Sequence, residues 1–531
     1  MKIALINPQT ENLQMRELYN YHENHALGLL YANIKKNPEY SLVSLFDLRI
    51  DSLSERDISI NYLNNRYDVI VLSVNYATLQ SALLIVQIVS IESKSKPKII
   101  LGGEHASYLS HELIEKYPHI DIVCRGEGES TLPQVLNSLY RKMPLSQLRG
   151  ITFRNGDTII QTKPNKKITD LDTLNFCDHT IANRAIINNK KIEIGILTKR
   201  GCPYPCSFCN AQRFLGNGSV GVRYRSPKNV VDEIKKIASF VKKTGGYLRF
   251  YDATFVTPSK VDRIWLDSFC SLMEKNKIRV PIDAFIRSDS FNLNQNKDKL
   301  LIMRLRNIGL ISTYIGLEAG DNNQLKLYNK KINSSESLLM YNYLKYIGMA
   351  GATNGFINFF QGSTLEQIYQ NIVFLRQTGF ASFWNLLSRA ETLPGIKINE
   401  KTEMYPRKHI WDVNNYHFID TSVAKLYLCL NSISNNYYFA RHEDRVIRKI
   451  RDVIKIRNFY HGYIGYSDKE RDFDDKVFNI QINTKNFIIT LIDRIKEGYI
   501  INIDDEIVME YVSKMNNCLN LITVEYEDYL R

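Results

Sequence analysis

From residue 1 to about 145, short and nearly unbroken apolar runs alternate with longer amphipathic stretches: KIALINP, HALGLLYANIKK, SLVSLFDL, YDVIVLSV, a helical stretch over 79–94, KIILGG and DIVCRGEGE. β-Branched runs without in–out alternation are strands buried on both faces. The intervening helices supply the cover, so the pattern predicts a doubly wound, Rossmann-like parallel α/β domain. Gly102 and Gly103 close one strand, and Gly126-Glu127-Gly128-Glu129 follow another. Both lie at carboxyl ends of strands, where open α/β sheets bind ligands. Tight turns that need positive φ account for either pair equally well.

Residues 146–190 read as a small hairpin around Asn155-Gly156-Asp157 and then a polar linker, hence a boundary. A second alternation fills 191–410: IEIGILTKRG, YLRFYDATF, IDAFIRSD, STYIGLEAG, GATNGFINFF and FWNLLSRAETLPG, with helices between them. Six βα units fall short of the eight of a closed barrel and predict an open, partial (βα)6 TIM-like barrel. From 411 to 531 helical periodicity dominates. Val446, Ile447, Ile450, Val453 and Ile454 form an apolar stripe on a helix rich in Arg and Lys, whose basic face is expected to be solvated.

Composition narrows the class without naming a function. With 531 residues, 44% hydrophobic and 24% charged, the chain is an ordinary globular protein of about three domains. The net charge of +13 is spread along the chain and selects no ligand. No apolar run reaches the ~18 residues of a membrane span and the start is too short for a secretory signal, so the expected compartment is the cytoplasm. Eight cysteines are too sparse for a disulfide framework, so a tight cysteine cluster is read as metal chemistry.

One such cluster exists. Cys202, Cys206 and Cys209 stand at C-x3-C-x2-C spacing on the loop after the first barrel strand, with no fourth Cys or His nearby in sequence. Three thiolates leave one metal position open, which suits a [4Fe-4S] cluster with a free iron. Zinc with a remote fourth ligand is the competing reading. Cys177, Cys270, Cys429 and Cys518 are dispersed and read as core thiols.

The motif and its position resemble those of the radical S-adenosylmethionine (SAM) enzymes. The resemblance implies that Cys202, Cys206 and Cys209 hold the cluster, that SAM binds its free iron, and that Phe208 packs beside the adenine. By the same resemblance Tyr251 and Asp252 stand near the SAM amino group, Arg287 and Asp289 match an arginine-containing strand, and Ile315-Gly316-Leu317-Glu318-Ala319-Gly320 matches the strand whose carboxylate reaches the SAM ribose. Lys330 follows at the usual place. Phe360-Gln361-Gly362-Ser363-Thr364 departs from the family's G-x-P-G-x-T.

The first domain resembles the cobalamin (B12)-binding domain that precedes the barrel in one radical SAM subfamily. That resemblance implies that Ser73, Gly102, Gly103, Glu104 and the Gly126–Glu129 turn, Glu127 included, surround the nucleotide tail and corrin edge, and that Asn75 and Tyr76 face cobalt. Glu23-Asn24-His25-Ala26-Leu27-Gly28 is one carboxylate away from the D-x-H-x-x-G of proteins that ligate cobalt with histidine. Packing at the start of a helix is the plain reading of His25. The two resemblances together imply C-methyl transfer to an unactivated carbon of a small metabolite or peptide, by a 5′-deoxyadenosyl radical and methylcobalamin. They also imply an electron donor such as flavodoxin or ferredoxin; the lack of a long apolar run argues against a membrane partner, and the absence of clustered basic residues with stacking aromatics argues against nucleic acid. Oxidative cyclisation or ring rearrangement without methylation is the alternative within the family, and a non-catalytic cobalamin-binding protein the alternative outside it.

Overall fold

A computed structural model describes residues 1–10, 21–212, 214, 221–463 and 465–530. The first strands are β1 (Lys2–Asn7), β2 (Tyr21–His22), β3 (Leu42–Asp47), β4 (Val69–Ser73), β5 (Lys98–Gly102) and β6 (Ile122–Cys124), followed by a hairpin of β7 (Ile151–Asn155) and β8 (Thr158–Gln161). The first sheet runs β3-β1-β4-β5-β6-β7-β8. It is parallel as far as β6 and antiparallel beyond. Ile3, Leu5, Ile70, Leu72, Ile100 and Leu101 are buried, as strands covered on both faces require. The hairpin does not belong to a separate linker. It extends this sheet and covers the β6 edge, which would otherwise present unpaired backbone groups.

The second sheet uses β9 (Ile192–Ile196), then a two-residue antiparallel pair β10 (Lys199–Arg200) and β11 (Arg223–Tyr224) outside it, then β12 (Leu248–Phe250), β13 (Ile282–Arg287), β14 (Leu310–Glu318) and β15 (Ala350–Phe356). Its order is β15-β14-β13-β12-β9-β2, and all its pairs are parallel. The barrel is thus six-stranded, but its sixth strand is not FWNLL. Phe383–Leu387 is a short helix, and only a single bridge joins Phe359 to Arg389. Phe383 and Leu386, three residues apart, are buried on one helical face, and Phe383 packs against Phe439 and Tyr511 of the C-terminal helices. The sixth place is taken at the opposite edge by β2, contributed by the N-terminal part of the chain.

Local chemistry sets the helix ends between strands. Ser226 caps the helix Pro227–Thr244 through its side chain, proline occupies the first turn, and Gly245 ends it at φ 65°. The C-terminal region is four long helices: Thr421–Asn436, Tyr438–Tyr460, Asp468–Lys496 and Glu506–Glu525. In the second of these, Ile447, Ile450 and Ile454 are buried as the stripe predicts. Its basic side is not simply solvated. Arg451 lies 2.8 Å from Asp474 and Lys455 lies 3.4 Å from Glu470, both pairs largely shielded from water by the next helix. Among the described residues no helix is long and apolar enough to cross a membrane.

Candidate cofactor site

The cysteine loop is anchored at both of its flanks. At its root Asp252 accepts hydrogen bonds from the Thr198 amide (2.8 Å), the Thr198 hydroxyl (2.5 Å) and the Lys199 amide (3.0 Å). That buried carboxylate is therefore occupied by the backbone entering the loop, which differs from the contact with a SAM amino group that the sequence suggested. At its far end the Ser207 amide donates to the Tyr328 carbonyl (2.9 Å), its hydroxyl to Leu327 (3.0 Å), and Asn329 to the Pro205 carbonyl (3.0 Å). Phe208 packs edge-on to Tyr328 at 5.4 Å, with the Lys330 ammonium 5.8 Å from its ring.

The donor set fits a multinuclear cluster better than a single ion. Thiolates around one zinc at about 2.3 Å stand roughly 3.8 Å apart. Among the described residues the trio of ligand atoms gathered within 4.8 Å is Glu23, Cys177 and His179, not the three loop thiols. Burial raises the thiols of Cys202, Cys206 and Cys209, the last to about 11, so cluster binding has to displace their protons.

Arg287, at the end of β13, reaches the loop directly. One of its terminal nitrogens donates to Cys206 Sγ at 3.6 Å, while Nε bonds Asp289 at 2.8 Å and the other terminal nitrogen bonds the Lys330 carbonyl at 2.6 Å. Its guanidinium also lies over the Tyr204 ring at 3.6 Å. Outer partners of this kind orient metal ligands and tune the metal. Beside it, Glu318 Oε1 accepts from Lys330 Nζ at 2.6 Å in a buried pair. Glu318 has φ 65°, a conformation uncommon for a non-glycine residue. Gly316 makes room for the pair: a Cβ there would lie 2.6 Å from Glu318 Oε1 and 2.8 Å from Lys330 Nζ.

In the first domain the strand order reverses between β1 and β4, the place where such sheets bind ligands. Asn24 spans it, donating to Asn7 at 2.8 Å and to the Ser73 hydroxyl at 3.4 Å. Gly103 (φ 106°) sits against the Val74 carbonyl, and Ser107 ties its turn to Gly126, donating to the Gly103 carbonyl and accepting from the Gly126 amide. A Cβ added at Gly126 (φ 81°) would meet nothing within 4 Å, and one at Gly102 only Cys124, at 3.9 Å. Asn75 is exposed and closes a turn by accepting from Ala77 and Thr78.

Four first-domain residues point at the barrel. Glu104 bonds Asn210, next to Cys209, and burial raises its carboxyl. Tyr76 bonds Glu391. Glu127, expected beside the corrin, has its oxygens on Arg200 (3.1 Å), Arg223 (2.8 Å) and the Ile168 amide (2.8 Å), while Glu129 pairs with Arg200. These carboxylates join the two domains at the root of the cysteine loop, a role the sequence did not show because the partners are far apart in the chain.

His25 is the first residue of its helix, buried and 5.9 Å from the Tyr251 ring. Burial, followed by nearby cationic groups, lowers it to about 3, so it is neutral. Tyr251 fills the space left by Gly195 and donates to the Glu23 carbonyl at 3.4 Å, turned toward the first domain. Glu23 and Cys177, both buried, and the partly buried His179 form a trio that sequence reading missed; Cys177 is a buried free thiol, as expected. The 2.6 Å between Glu23 Oε2 and His179 Nδ1 is a hydrogen bond, shorter than the spacing of two ligands on one ion.

Comparison with known proteins agrees with this layout. The B12 binding domain family matches residues 23–136 and the radical SAM superfamily matches residues 196–375. The anaerobic magnesium-protoporphyrin IX monomethyl ester cyclase of Cereibacter sphaeroides is 28% identical over 252 residues, 45% of this chain and 38% of that protein. The hopanoid C-3 methylase of Methylococcus capsulatus is 24% identical over 327 residues, 59% of this chain and 57% of that protein. The chain thus spans less than two thirds of the length of either relative. The structure of the cobalamin-dependent SAM radical enzyme OxsB, with aqua-cobalamin and SAM bound, superposes with a TM-score of 0.67 at 15% identity, covering 98% of this chain and 84% of that one. The two family matches fall on the two sheets in the order the fold gives them, and the chain carries a B12-binding domain followed by a radical SAM domain.

Proposed function

We propose that this protein is a cobalamin-dependent radical SAM C-methyltransferase acting on an unactivated carbon of a small molecule or peptide. The observation that carries this reading is the direct apposition of the two domains at the cysteine loop, where Glu104 meets Asn210 and Glu127 and Glu129 hold Arg200. Cys202, Cys206 and Cys209 would hold a [4Fe-4S] cluster, the Glu318–Lys330 pair and Phe208 would border SAM, and the Gly102–Gly103 and Gly126 turns would seat cobalamin. When bound, these groups supply a substrate radical and a methyl donor. The chain's own contribution is placement and exclusion of water: Arg287 orients Cys206, and the buried Glu318–Lys330 pair stays fixed at the lumen.

Oxidative cyclisation is the second reading, favoured by the similarity to a cyclase. Anaerobic reconstitution with cobalamin, SAM bearing a deuterated methyl group, a reductant and metabolites or peptides offered as substrates separates the two. Methylation yields S-adenosylhomocysteine with 5′-deoxyadenosine and a labelled product, whereas cyclisation yields 5′-deoxyadenosine without S-adenosylhomocysteine. Absence of both products would overturn the enzymatic reading.

A further inference from the structure

A cavity of about 560 Å³ opens at the amino-terminal mouth of the barrel, walled on one side by the helix Tyr438–Tyr460. Its size is that of a small-molecule site. Lys191 and Glu193 stand at the start of β9, Asp283 at the start of β13 and Ser312 near that of β14, whereas the cysteine loop follows the far end of β9. The cavity therefore lies at the opposite end of the barrel from the cofactor sites, and what it holds is not the reacting substrate. Barrel interiors are ordinarily filled by layers of apolar side chains. This end is polar instead, and Arg249 bridges Glu193 at 3.0 Å and Asp283 at 3.1 Å, so those three charges satisfy one another.

Two other features of the lining are left without a counterpart. Asn354, deeper in the lumen, is 5% exposed, yet neither its amide nitrogen nor its amide oxygen has a hydrogen-bond partner among the described residues. A buried amide left unpaired is destabilising, and a bound molecule that donates or accepts there offsets the loss. At the mouth, Lys191, Arg445 and Lys449 converge. Lys449 is held below its ordinary value first by its own burial and then by the charges of those two neighbours. The nearby carboxylates serve other groups: Asp444 pairs with Arg448 at 2.9 Å, and Asp452 accepts from Tyr247 at 3.0 Å. Lys449 donates to the Leu530 carbonyl, a neutral acceptor, and among the described residues none of the three cations has a carboxylate at ion-pairing distance. Like charges gathered at a concave mouth raise the local concentration of anions.

We infer that this cavity is an accessory ligand site, separate from the substrate and from both cofactors, in which Lys191, Arg445 and Lys449 hold the phosphate or carboxylate of a small polar metabolite whose body reaches Asn354. Either group offers the three cations the same chemistry, an oxyanion that accepts charge-assisted hydrogen bonds. The separateness rests on where the proposed function places the cofactors, whereas the anion site stands on the cavity and its cations alone.

The test uses the full-length, anaerobically reconstituted protein, saturated with hydroxocobalamin and SAM without reductant, and titrated calorimetrically with inorganic phosphate and, separately, with succinate. Saturable binding of at least one anion is expected while both cofactors are in place. It should weaken roughly tenfold or more in Arg445→Ala/Lys449→Ala by loss of charge-assisted contacts. It should be unchanged in Arg441→Ala, on the same helix but outside the cavity. Binding of phosphate alone assigns a phosphate-bearing ligand, and binding of succinate alone a carboxylate. Circular dichroism and iron content establish that the double variant is folded, and the single Arg445→Gln replaces it if it is not. Failure of both anions to saturate at millimolar concentration, equal binding by the variant, or displacement of the anion by SAM or cobalamin overturns the inference. Absence of reductive SAM cleavage once reductant is supplied would instead overturn the functional reading and leave the anion site in place.

Discussion

Arg287 donates to the sulfur of Cys206 at 3.6 Å while Asp289 and the Lys330 carbonyl hold the rest of its guanidinium, so the side chain has little freedom to leave the thiol. A cation fixed beside a cluster sulfur favours the reduced, more negative state of the cluster. Arg287→Met is therefore expected to retain iron and sulfide but to lower the reduction potential and cut SAM cleavage about 10–100-fold, the usual effect of removing an outer partner. Redox titration monitored by electron paramagnetic resonance, beside iron analysis, checks both parts.

The Glu318–Lys330 pair predicts a stability effect separable from catalysis. Removing one member of a buried pair leaves the other charge uncompensated and typically costs about 3–5 kcal/mol. Glu318→Leu should lower the thermal midpoint of the apoprotein markedly, and Glu318→Leu/Lys330→Met should recover most of the loss while SAM cleavage stays impaired. Scanning calorimetry of the three proteins decides it; equal midpoints for the single and double variants would contradict the pairing.

His179 gives a pH dependence of defined sign. Its burial lowers its affinity for a proton, but the hydrogen bond and charge of Glu23, with Glu233 and Asp178 nearby, outweigh that and raise it above the ordinary histidine value. A raised folded-state value contributes stability that is fully present below the unfolded value of about 6.5 and is lost as pH rises through the folded one. The thermal midpoint should fall on raising the pH through neutrality, and His179→Gln should flatten that fall. The buried Cys177 thiol, itself pushed upward, stays neutral across this window.

His25, neutral and buried against Tyr251, is expected not to ligate cobalt. Cob(II)alamin bound to the full chain should show no nitrogen splitting from a protein imidazole in its electron paramagnetic resonance spectrum, and His25→Ala should leave that spectrum unchanged. Splitting that vanishes in the variant would assign His25 to the metal.

Much of this site was readable from local sequence, because a cysteine loop and glycine turns carry their information within a few residues. The parts that were not readable depend on distant partners. Asp252 presents itself as a free strand-end carboxylate until Thr198 and Lys199 are seen to occupy it. Glu127 looks like a cofactor contact until Arg200 and Arg223 arrive from the barrel. FWNLL has the apolar content of a strand, and only its packing on the C-terminal helices makes it a helix. Two residues of β2 are too short for any periodicity to announce.

The pairing of β2 with β9 has a consequence for biosynthesis. Tyr21 leaves the ribosome roughly 170 residues before Ile192, its partner in the second sheet, and at about 5–20 residues per second that is a wait of roughly ten to thirty seconds. During that interval the first sheet can assemble around a segment committed elsewhere, and the barrel edge cannot close until β9 is made. β2 is in effect a fastening laid down early and engaged late. Cutting the gene between the two domains, or exchanging the first domain for that of a relative, would remove a barrel strand along with it.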